Sequence, residues 1–146
     1  MHYRLALTSG LILASFVSIT PVALAEVTFN NLTSGVLEPV GGDDKVLESV
    51  NPTTLAVSIP YNTVANITVL PLSLVFGASN DPNGTKRLAI VNFGSTSLRS
   101  DVSNNTATLA PGETNLEVRL RVERPVAFIA GTYNYAVNLN VTITPP

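Results

Sequence analysis

Cysteine is absent from this 146-residue chain, and histidine occurs only once, at His2. Without cysteine there is no disulfide, so the fold depends on packing and on hydrogen bonds between strands. His2 lies in a segment that the sequence predicts to be removed. The remaining chain therefore lacks the commonest general base, the thiolate nucleophile and the usual zinc ligands. We expect a protein that is not an enzyme, with no catalytic residue, no metal site and no cofactor.

Charge is also scarce, because Asp, Glu, Lys and Arg together make up 12% of the chain. The eight basic and ten acidic residues are interspersed, and no basic patch that would attract a phosphate backbone is present. Nucleic acid is therefore not an expected partner. No helical period of 3.6 residues appears after residue 25, and the abundance of Asn, Thr, Val and Leu favours β-structure.

Long apolar runs are missing except near the beginning, where residues 1–25 match a secretory signal peptide. A positively charged start precedes the mostly apolar stretch from Leu5 to Ile19, and Ala23-Leu24-Ala25 supplies the small residues that a signal peptidase reads. The apolar run is shorter than the roughly 20 residues that span a bilayer, so no membrane span is expected after cleavage. We predict that residues 26–146 form one domain, exported to the periplasm, the cell surface or the extracellular medium.

The most regular pattern is the stretch from Gly131 to Thr144. Apolar and polar residues alternate there, which is typical of an antiparallel strand with one face on a core and one in water. A charge at Leu139, on the apolar face, is therefore expected to unfold the domain. The residues predicted to face inward are Tyr133, Tyr135, Val137, Leu139, Val141 and Ile143. The residues predicted to face outward are Asn134, Ala136, Asn138, Asn140, Thr142 and Thr144.

A second alternating stretch, Leu116 to Glu123, is expected to pair antiparallel with the last one. Shorter strands are predicted around Val27 to Phe29, Leu55 to Ile59, Val64 to Leu70 and Arg87 to Phe93. The spacing of these strands and of the turns between them is typical of a sandwich. The sequence therefore predicts an all-β fold, a single immunoglobulin-like antiparallel β-sandwich of about eight to nine strands.

Three details of the middle of the chain follow from its breakers and loop residues. Pro71 is expected to end the strand before it, after which Leu72, Leu74 and Phe76 resume the inward pattern. The Ser-, Asn- and Asp-rich stretch from Gly94 to Asn104 is interpreted as a long loop. Turns interrupt residues 36–59 too often for a strand order to be assigned.

Two acidic stretches are candidates for chemistry. Asp43 and Asp44 are adjacent in a glycine-rich turn, where a solvated turn is a better interpretation than a catalytic carboxylate pair. The stretch from Asp81 to Thr85 offers alternate oxygen ligands, as a calcium loop does, but Asn92 stands where an EF-hand loop has its bidentate Glu. Asp81-Pro82-Asn83-Gly84 is also what a type I turn or a hairpin loop requires, so a turn is predicted here.

The last quarter of the chain resembles a known family. Ala130-Gly131-Thr132-Tyr133, which leads into a long alternating strand after Leu116 to Val122, is similar to the C-terminal end of spore coat protein U-type domains. The stretch Gly35-Val36-Leu37-Glu38-Pro39 followed by Asn51-Pro52 is similar to the opening of cyanobacterial exported proteins of the same build. The resemblance implies an immunoglobulin-like sandwich similar to fimbrial subunits, serving on or near the cell surface.

The chain departs from that pattern in two respects. It lacks the cysteines that many relatives carry, and its N-terminal arm, Glu26 to Asn31, offers only Val27 and Phe29 as anchors. Pilin subunits that lend a strand to a neighbour need a longer alternating arm. Pro145 and Pro146 could cap the last strand against further pairing, or could simply be a frayed end.

Three functions remain as hypotheses. The first is a non-catalytic structural or surface-interaction protein whose partners are itself or other envelope proteins. The second is a module for binding polysaccharide or for calcium-dependent adhesion, in which the amides and hydroxyls of the last strand hydrogen-bond a sugar. The third is a hydrolase, which the missing histidine and the scattered carboxylates disfavour. An ordinary solvated outer face of a sheet is the better interpretation of the same amides and hydroxyls.

Overall fold

The computed structural model describes residues 12–18, 27–30, 35–103 and 105–144. Every regular element in these residues is a strand, which confirms the all-β class. Within the same residues, no helix is present that could cross a membrane. The strands are β1 (Ile12–Ser18), β2 (Thr28–Asn30), β3 (Leu37–Val40), β4 (Asp43–Ser49), β5 (Thr53–Ile59), β6 (Val64–Gly77), β7 (Lys86–Phe93), β8 (Thr96–Arg99), β9 (Thr106–Leu109), β10 (Gly112–Glu123) and β11 (Tyr133–Thr144).

The strands form two sheets, as predicted for a sandwich. The first sheet has the order β1-β11-β6-β9, and the second has the order β2-β5-β10-β4-β3 with β7 and β8 attached. In the second sheet, β10 pairs along one edge with β5 and then with β4, and along its other edge with β7. β4 and β5 thus follow one another beside the same central strand, separated by a bend at Val50-Asn51-Pro52.

The core lies between the two sheets and is built by alternate residues of the long strands. On β10 the four predicted inward residues, Leu116, Val118, Leu120 and Val122, are all buried. On β11 the six predicted inward residues are at most 1% exposed. The two strongest alternations in the sequence therefore identify the two inner faces correctly.

β10 and β11 do not pair with each other, so that prediction is wrong. They lie in different sheets, and the chain crosses from one sheet to the other through residues 124–132. β11 pairs antiparallel with β6, and β10 pairs with the second-sheet strands named above. Two amphipathic strands that are adjacent in sequence can pair or can face each other across the core, and alternation is identical in both cases.

Residues 94–103 are not the long loop that their composition indicates. β8 follows a tight turn at Gly94, which has a φ of 55°, and pairs antiparallel with β7. Leu98, which is 4% exposed, is the apolar residue of β8 that packs on the core. Eleven strands are therefore described instead of the predicted eight to nine, because β8 was missed and β1 lies within the predicted leader.

β6 does not end at Pro71 but continues through it, with two irregularities in its pairing with β11. Between the pairs Asn138–Leu70 and Ala136–Ser73, and again between Tyr135–Leu74 and Asn134–Phe76, β6 has one residue more than β11. Such bulges accommodate a proline, which cannot donate to the ladder. The second bulge, at Val75, reverses the expected alternation, so Phe76 is 60% exposed instead of facing the core.

The start of the predicted mature chain is part of the second sheet. β2 pairs antiparallel with β5, with Phe29 opposite Val57. Val27 is 6% exposed and belongs to the core, and Phe29 packs against it. The predicted short first strand is confirmed, and its residues pair and pack within their own chain.

Candidate interaction site on the last strand

The outer edge of β11 is the first feature with an evident capacity for binding. β6 covers one edge of β11, and β1 covers the other in parallel, from the pair Ile12–Ala136 to the pair Ser18–Thr142. β1 belongs entirely to the segment that the sequence predicts to be cleaved. If that segment were removed, the backbone groups that pair with β1 along Ala136 to Thr142 would form an open strand edge. Such an edge is a template for pairing with another chain.

The outward face of the first sheet is uncharged and rich in hydroxyls and amides. Three strands contribute to it in register, with Thr68 opposite both Thr106 and Asn140, and Asn66 opposite both Thr108 and Thr142. The hydroxyl oxygens of Thr68 and Thr106 lie 2.8 Å apart, and the Thr108 hydroxyl donates to Asn66 Oδ1 at 3.1 Å. Several of these groups are thus engaged across the strands, as expected for the outer face of an ordinary sheet.

An aromatic side chain accompanies this polar face, contrary to expectation. Phe76 lies opposite Asn134 in the register, and Asn134 was predicted to face outward. Sugar-binding surfaces use exposed aromatic rings together with hydrogen-bonding groups, because the ring covers the apolar side of the sugar. Phe76 was missed because a bulge is not visible in a period-2 pattern. Pro71, five residues before Phe76, was the only indication in the sequence that β6 is irregular.

A buried ionic network closes the opposite side of the same strand. Asp81 Oδ1 accepts hydrogen bonds from Arg124 Nε at 2.9 Å and from the Tyr135 hydroxyl at 2.7 Å, and Asp81 Oδ2 accepts one from Arg87 Nε at 2.6 Å. The side chains of Asp81 and Arg124 are only 2% and 1% exposed. We call these four residues the Asp81 network. It links the loop after β6, the end of β10 and the start of β11, and so joins the two sheets.

The other two guanidinium nitrogens of Arg124 also have hydrogen-bond acceptors. Nη1 donates to Ser79 Oγ at 2.8 Å and Nη2 donates to the Ser79 carbonyl at 3.1 Å. The guanidinium carbon lies 4.1 Å from the centre of the Phe128 ring, which is a cation–π contact. The Tyr133 hydroxyl donates to the carbonyl of Ile129 at 3.0 Å. Within the described ranges, every buried side-chain nitrogen and oxygen has a hydrogen-bond partner.

The network determines the charge state of its members. Burial alone would raise the pKa of Asp81, but hydrogen bonds from Tyr135, Arg87 and Arg124 outweigh burial and hold that pKa below its ordinary value of 3.8. Burial and the hydrogen bond to Asp81 raise the pKa of the Tyr135 phenol above its ordinary value of 10. At neutral pH the carboxylate is therefore ionised and the phenol is neutral. The arrangement resembles a structural ion pair more than a proton-transfer site, because every oxygen of Asp81 is occupied.

The start of β11 depends on two glycines that allow close approach. A Cβ on Gly131 would clash with the Cβ of Ala78, and a Cβ on Gly77 would lie 2.8 Å from Tyr133 Cδ1. The backbones meet there, since the Ala78 amide donates to the Thr132 carbonyl at 3.1 Å. The Ala130-Gly131-Thr132-Tyr133 motif therefore has a physical reason in this chain. Gly131 lets residues 131 and 132 lie directly against the end of β6.

The acidic candidates from the sequence are not brought together. Asp43 and Asp44 are exposed at the start of β4, where the Asp44 carbonyl accepts from the Phe128 amide at 2.8 Å. The turn lies one residue later than predicted, at Pro82-Asn83-Gly84-Thr85, where the amide and the hydroxyl of Thr85 donate to the Pro82 carbonyl at 3.2 Å and 2.6 Å. The Asp81 carboxylate points into the protein. In the part of the chain that the structure describes, no group of three or more acidic or histidine side chains could hold a metal ion.

The sequence contained one indication of the Asp81 network that periodicity did not use. Tyr133 and Tyr135 both occupy the apolar face of β11, and a buried phenol needs a hydrogen-bond partner. In a chain with so few charged residues, the partner had to come from a small set. Asp81, in the predicted turn, was one candidate acceptor for the phenol, and Arg124, just after the end of β10, was a candidate counter-charge for Asp81.

Comparisons with known proteins add no identification. No protein-family model matches the chain, and no curated protein matches its sequence.

Proposed function

We propose that this is a non-catalytic exported protein of the cell envelope or extracellular surface, which self-associates through the outer edge of β11. The observation that carries the proposal is the pairing of that edge with residues of the predicted leader. A mature chain that begins near residue 26 leaves the edge of β11 uncovered along the seven residues from Ala136 to Thr142. The resemblance of residues 116–133 to spore coat protein U-type domains and fimbrial subunits favours the same class of protein.

The partner that fits the edge is the β11 edge of a second copy. The N-terminal arm is not free to be lent, because Val27 is in the core and β2 is paired with β5. The strands β2, β3, β8 and β9 have three or four residues each, whereas β11 has twelve. Two copies of β11 pairing antiparallel about a two-fold axis extend the sheet from β9 of one copy to β9 of the other. A two-fold interface needs only one self-complementary surface.

The absence of catalysis is part of the proposal and rests on the residues present. The predicted mature chain has no histidine and no cysteine. The carboxylate of Asp81 is buried and accepts hydrogen bonds from two arginines and a tyrosine. A buried, fully paired carboxylate has no position for a substrate or a water molecule to attack.

The test is the mass of the mature chain in solution, measured over a range of concentrations by analytical ultracentrifugation. We expect a dimer that Asn140→Lys together with Thr142→Lys weakens by at least about tenfold, because lysines on a strand at the edge of a sheet oppose its pairing with another chain. The matched control is Thr106→Lys together with Thr108→Lys, on the outward face of β9 in the same sheet. A mature chain that stays monomeric at all concentrations, or edge variants that associate like the control, would refute the proposal.

Polysaccharide binding is a second candidate, and the observation that favours it is the exposed Phe76 beside the uncharged polar face. We expect Phe76→Ala to abolish retention of the mature protein on an insoluble polysaccharide if that face is the site. Tyr61→Ala is the control, because Tyr61 is an aromatic residue that is 84% exposed in a turn at the other end of β6. Equal retention of both variants and the parent would exclude this face.

A further inference from the structure

The strand on the β11 edge comes from residues that the sequence predicts to be a signal peptide. We infer that the unprocessed chain closes its own association edge with Ile12–Ser18, and that removal of the leader opens it. The inference rests on the proposed function, since the edge it concerns is the one assigned to self-association. It assigns to the leader a second role as an intramolecular block on assembly.

The residues of β1 are suited to a strand as well as to a leader. Ile, Val, Phe and Leu around short Ala and Ser residues give the stretch ILASFVS a high β-propensity. In the register, Leu13, Ser15 and Val17 are opposite the core-facing Val137, Leu139 and Val141. The added strand thus extends the first sheet beside the middle of β11, from Ala136 to Thr142.

The connection between β1 and β2 explains why cleavage would release the strand. β1 ends at Ser18 beside Thr142, and β2 begins at Thr28 beside Ser58. Both points lie at the end of the sandwich where β5 leads into β6, so the chain needs only to cross between the sheets. The nine intervening residues can span about 30 Å, whereas packed sheets are about 10 Å apart. The predicted cleavage after Ala25 falls within this connection.

Cutting the connection changes the thermodynamics of the edge. While the connection is intact, β1 is held near β11 at a high effective concentration, and a second copy must compete with it. After cleavage the leader is a separate peptide at low concentration, and it dissociates from the edge. The same backbone groups of β11 can then pair with a second copy. One proteolytic step would therefore convert a closed chain into one that associates.

The absence of cysteine makes the pairing directly measurable. Ser18→Cys with Thr142→Cys places two thiols at paired positions of neighbouring strands, where Cα separations suit a disulfide. The control, Ser18→Cys with Asn138→Cys, moves one thiol four residues along β11, roughly 13 Å away. Both proteins are made unprocessed in a cell-free system without membranes. They are oxidised mildly at low concentration, and the intramolecular cross-link is scored by gel mobility and mass spectrometry.

A second measurement separates this inference from the proposed function. The masses in solution of the unprocessed and mature chains are compared at equal concentration, with a synthetic peptide of residues 11–19 added to the mature chain in a further sample. We expect the paired thiols to cross-link at least about tenfold more than the control, the unprocessed chain to be monomeric, the mature chain to associate, and the peptide to reduce that association.

These measurements distinguish failure of the inference about the leader from failure of the proposed self-association. Equal cross-linking of the two pairs, or an unprocessed chain that associates as strongly as the mature one, overturns the inference while leaving the proposed function intact. Specific cross-linking with a mature chain that never associates refutes the proposed function, and with it the block on assembly.

Discussion

Removing the carboxylate of Asp81 tests how much of the stability resides in one buried network. In Asp81→Ala, the guanidinium of Arg124 stays buried, with its side chain 1% exposed, and loses its counter-charge. Truncating one partner of a buried ion pair typically costs about 3–5 kcal/mol. Tyr135 also loses its hydrogen-bond acceptor, whereas Ser79 still accepts from Arg124. Against a typical domain stability of about 5–15 kcal/mol, the loss is large.

The assay is thermal and urea unfolding of the mature chain, followed by circular dichroism. We expect Asp81→Ala to lower the melting temperature by about 10–20 °C. The control is Asp101→Asn, because Asp101 forms its ion pair with Arg99 on the surface, with both side chains nearly half exposed. It should melt like the parent. If Asp81→Ala also melts like the parent, the network is not buried as described.

A double variant separates the lost charge pair from the lost carboxylate. Asp81→Asn with Arg124→Met removes both charges and keeps a hydrogen-bonding group near Tyr135. Because the uncompensated charge is the main cost, we expect the double variant to recover at least half of the stability that Asp81→Ala loses. A double variant less stable than Asp81→Ala would show that the individual hydrogen bonds, and not the buried charge, account for the effect.

Three further outcomes are expected. Leu139→Asp should unfold the domain, because Leu139 is fully buried. Asn140→Asp, on the outer face, should have a melting temperature close to that of the parent. Equal melting temperatures of the two variants, measured by circular dichroism, would contradict the assignment of faces. The pKa of Asp81 is lower in the folded than in the unfolded state. Its ionisation therefore contributes fully to the free energy of unfolding above pH 3.8, and this contribution is lost as the pH falls below that value. The midpoint of urea unfolding should decline below pH 3.8 in the parent, and less steeply in Asp81→Asn. Gly131→Ala should destabilise the domain by about 1–3 kcal/mol, because the Cβ of the new alanine would overlap the side chain of Ala78. An unchanged midpoint of urea unfolding would show that the start of β11 can shift.

Local alternation predicted those parts of the fold in which each residue faces either the core or water. β10 and β11 satisfy this condition, and all ten inward residues predicted on them are buried. Pairing could not be predicted in the same way. The choice between β6 and β10 as the neighbour of β11 depends on how residues 124–132 cross the core, and those residues carry no periodic signal. Phe76 was misplaced for a related reason, since one extra residue in a strand reverses every following side chain.

The interaction site was predictable only in part. The polar outer face of β11 followed directly from the sequence, whereas the strand that covers its edge did not. Residues 12–18 match both a leader and a strand, because both are short apolar segments without charges. The Asp81 network illustrates the same limit. Asp81 was correctly placed in the loop after β6, although the turn begins one residue later. The direction of its carboxylate depends on Arg124 and Tyr135, which are 43 and 54 residues away in sequence.

The pairing of β6 with β11 also constrains when the protein can fold. The paired residues are separated in sequence by between 56 residues, at Gly77 and Tyr133, and 80 residues, at Val64 and Thr144. Contacts of such long range form late and slowly, because a large loop must close before any pairing is gained. While the chain is being synthesised, β6 can pair only with the four-residue β9 until residues 133–144 emerge. The order of the strands thus delays completion of the first sheet until nearly the whole chain is available.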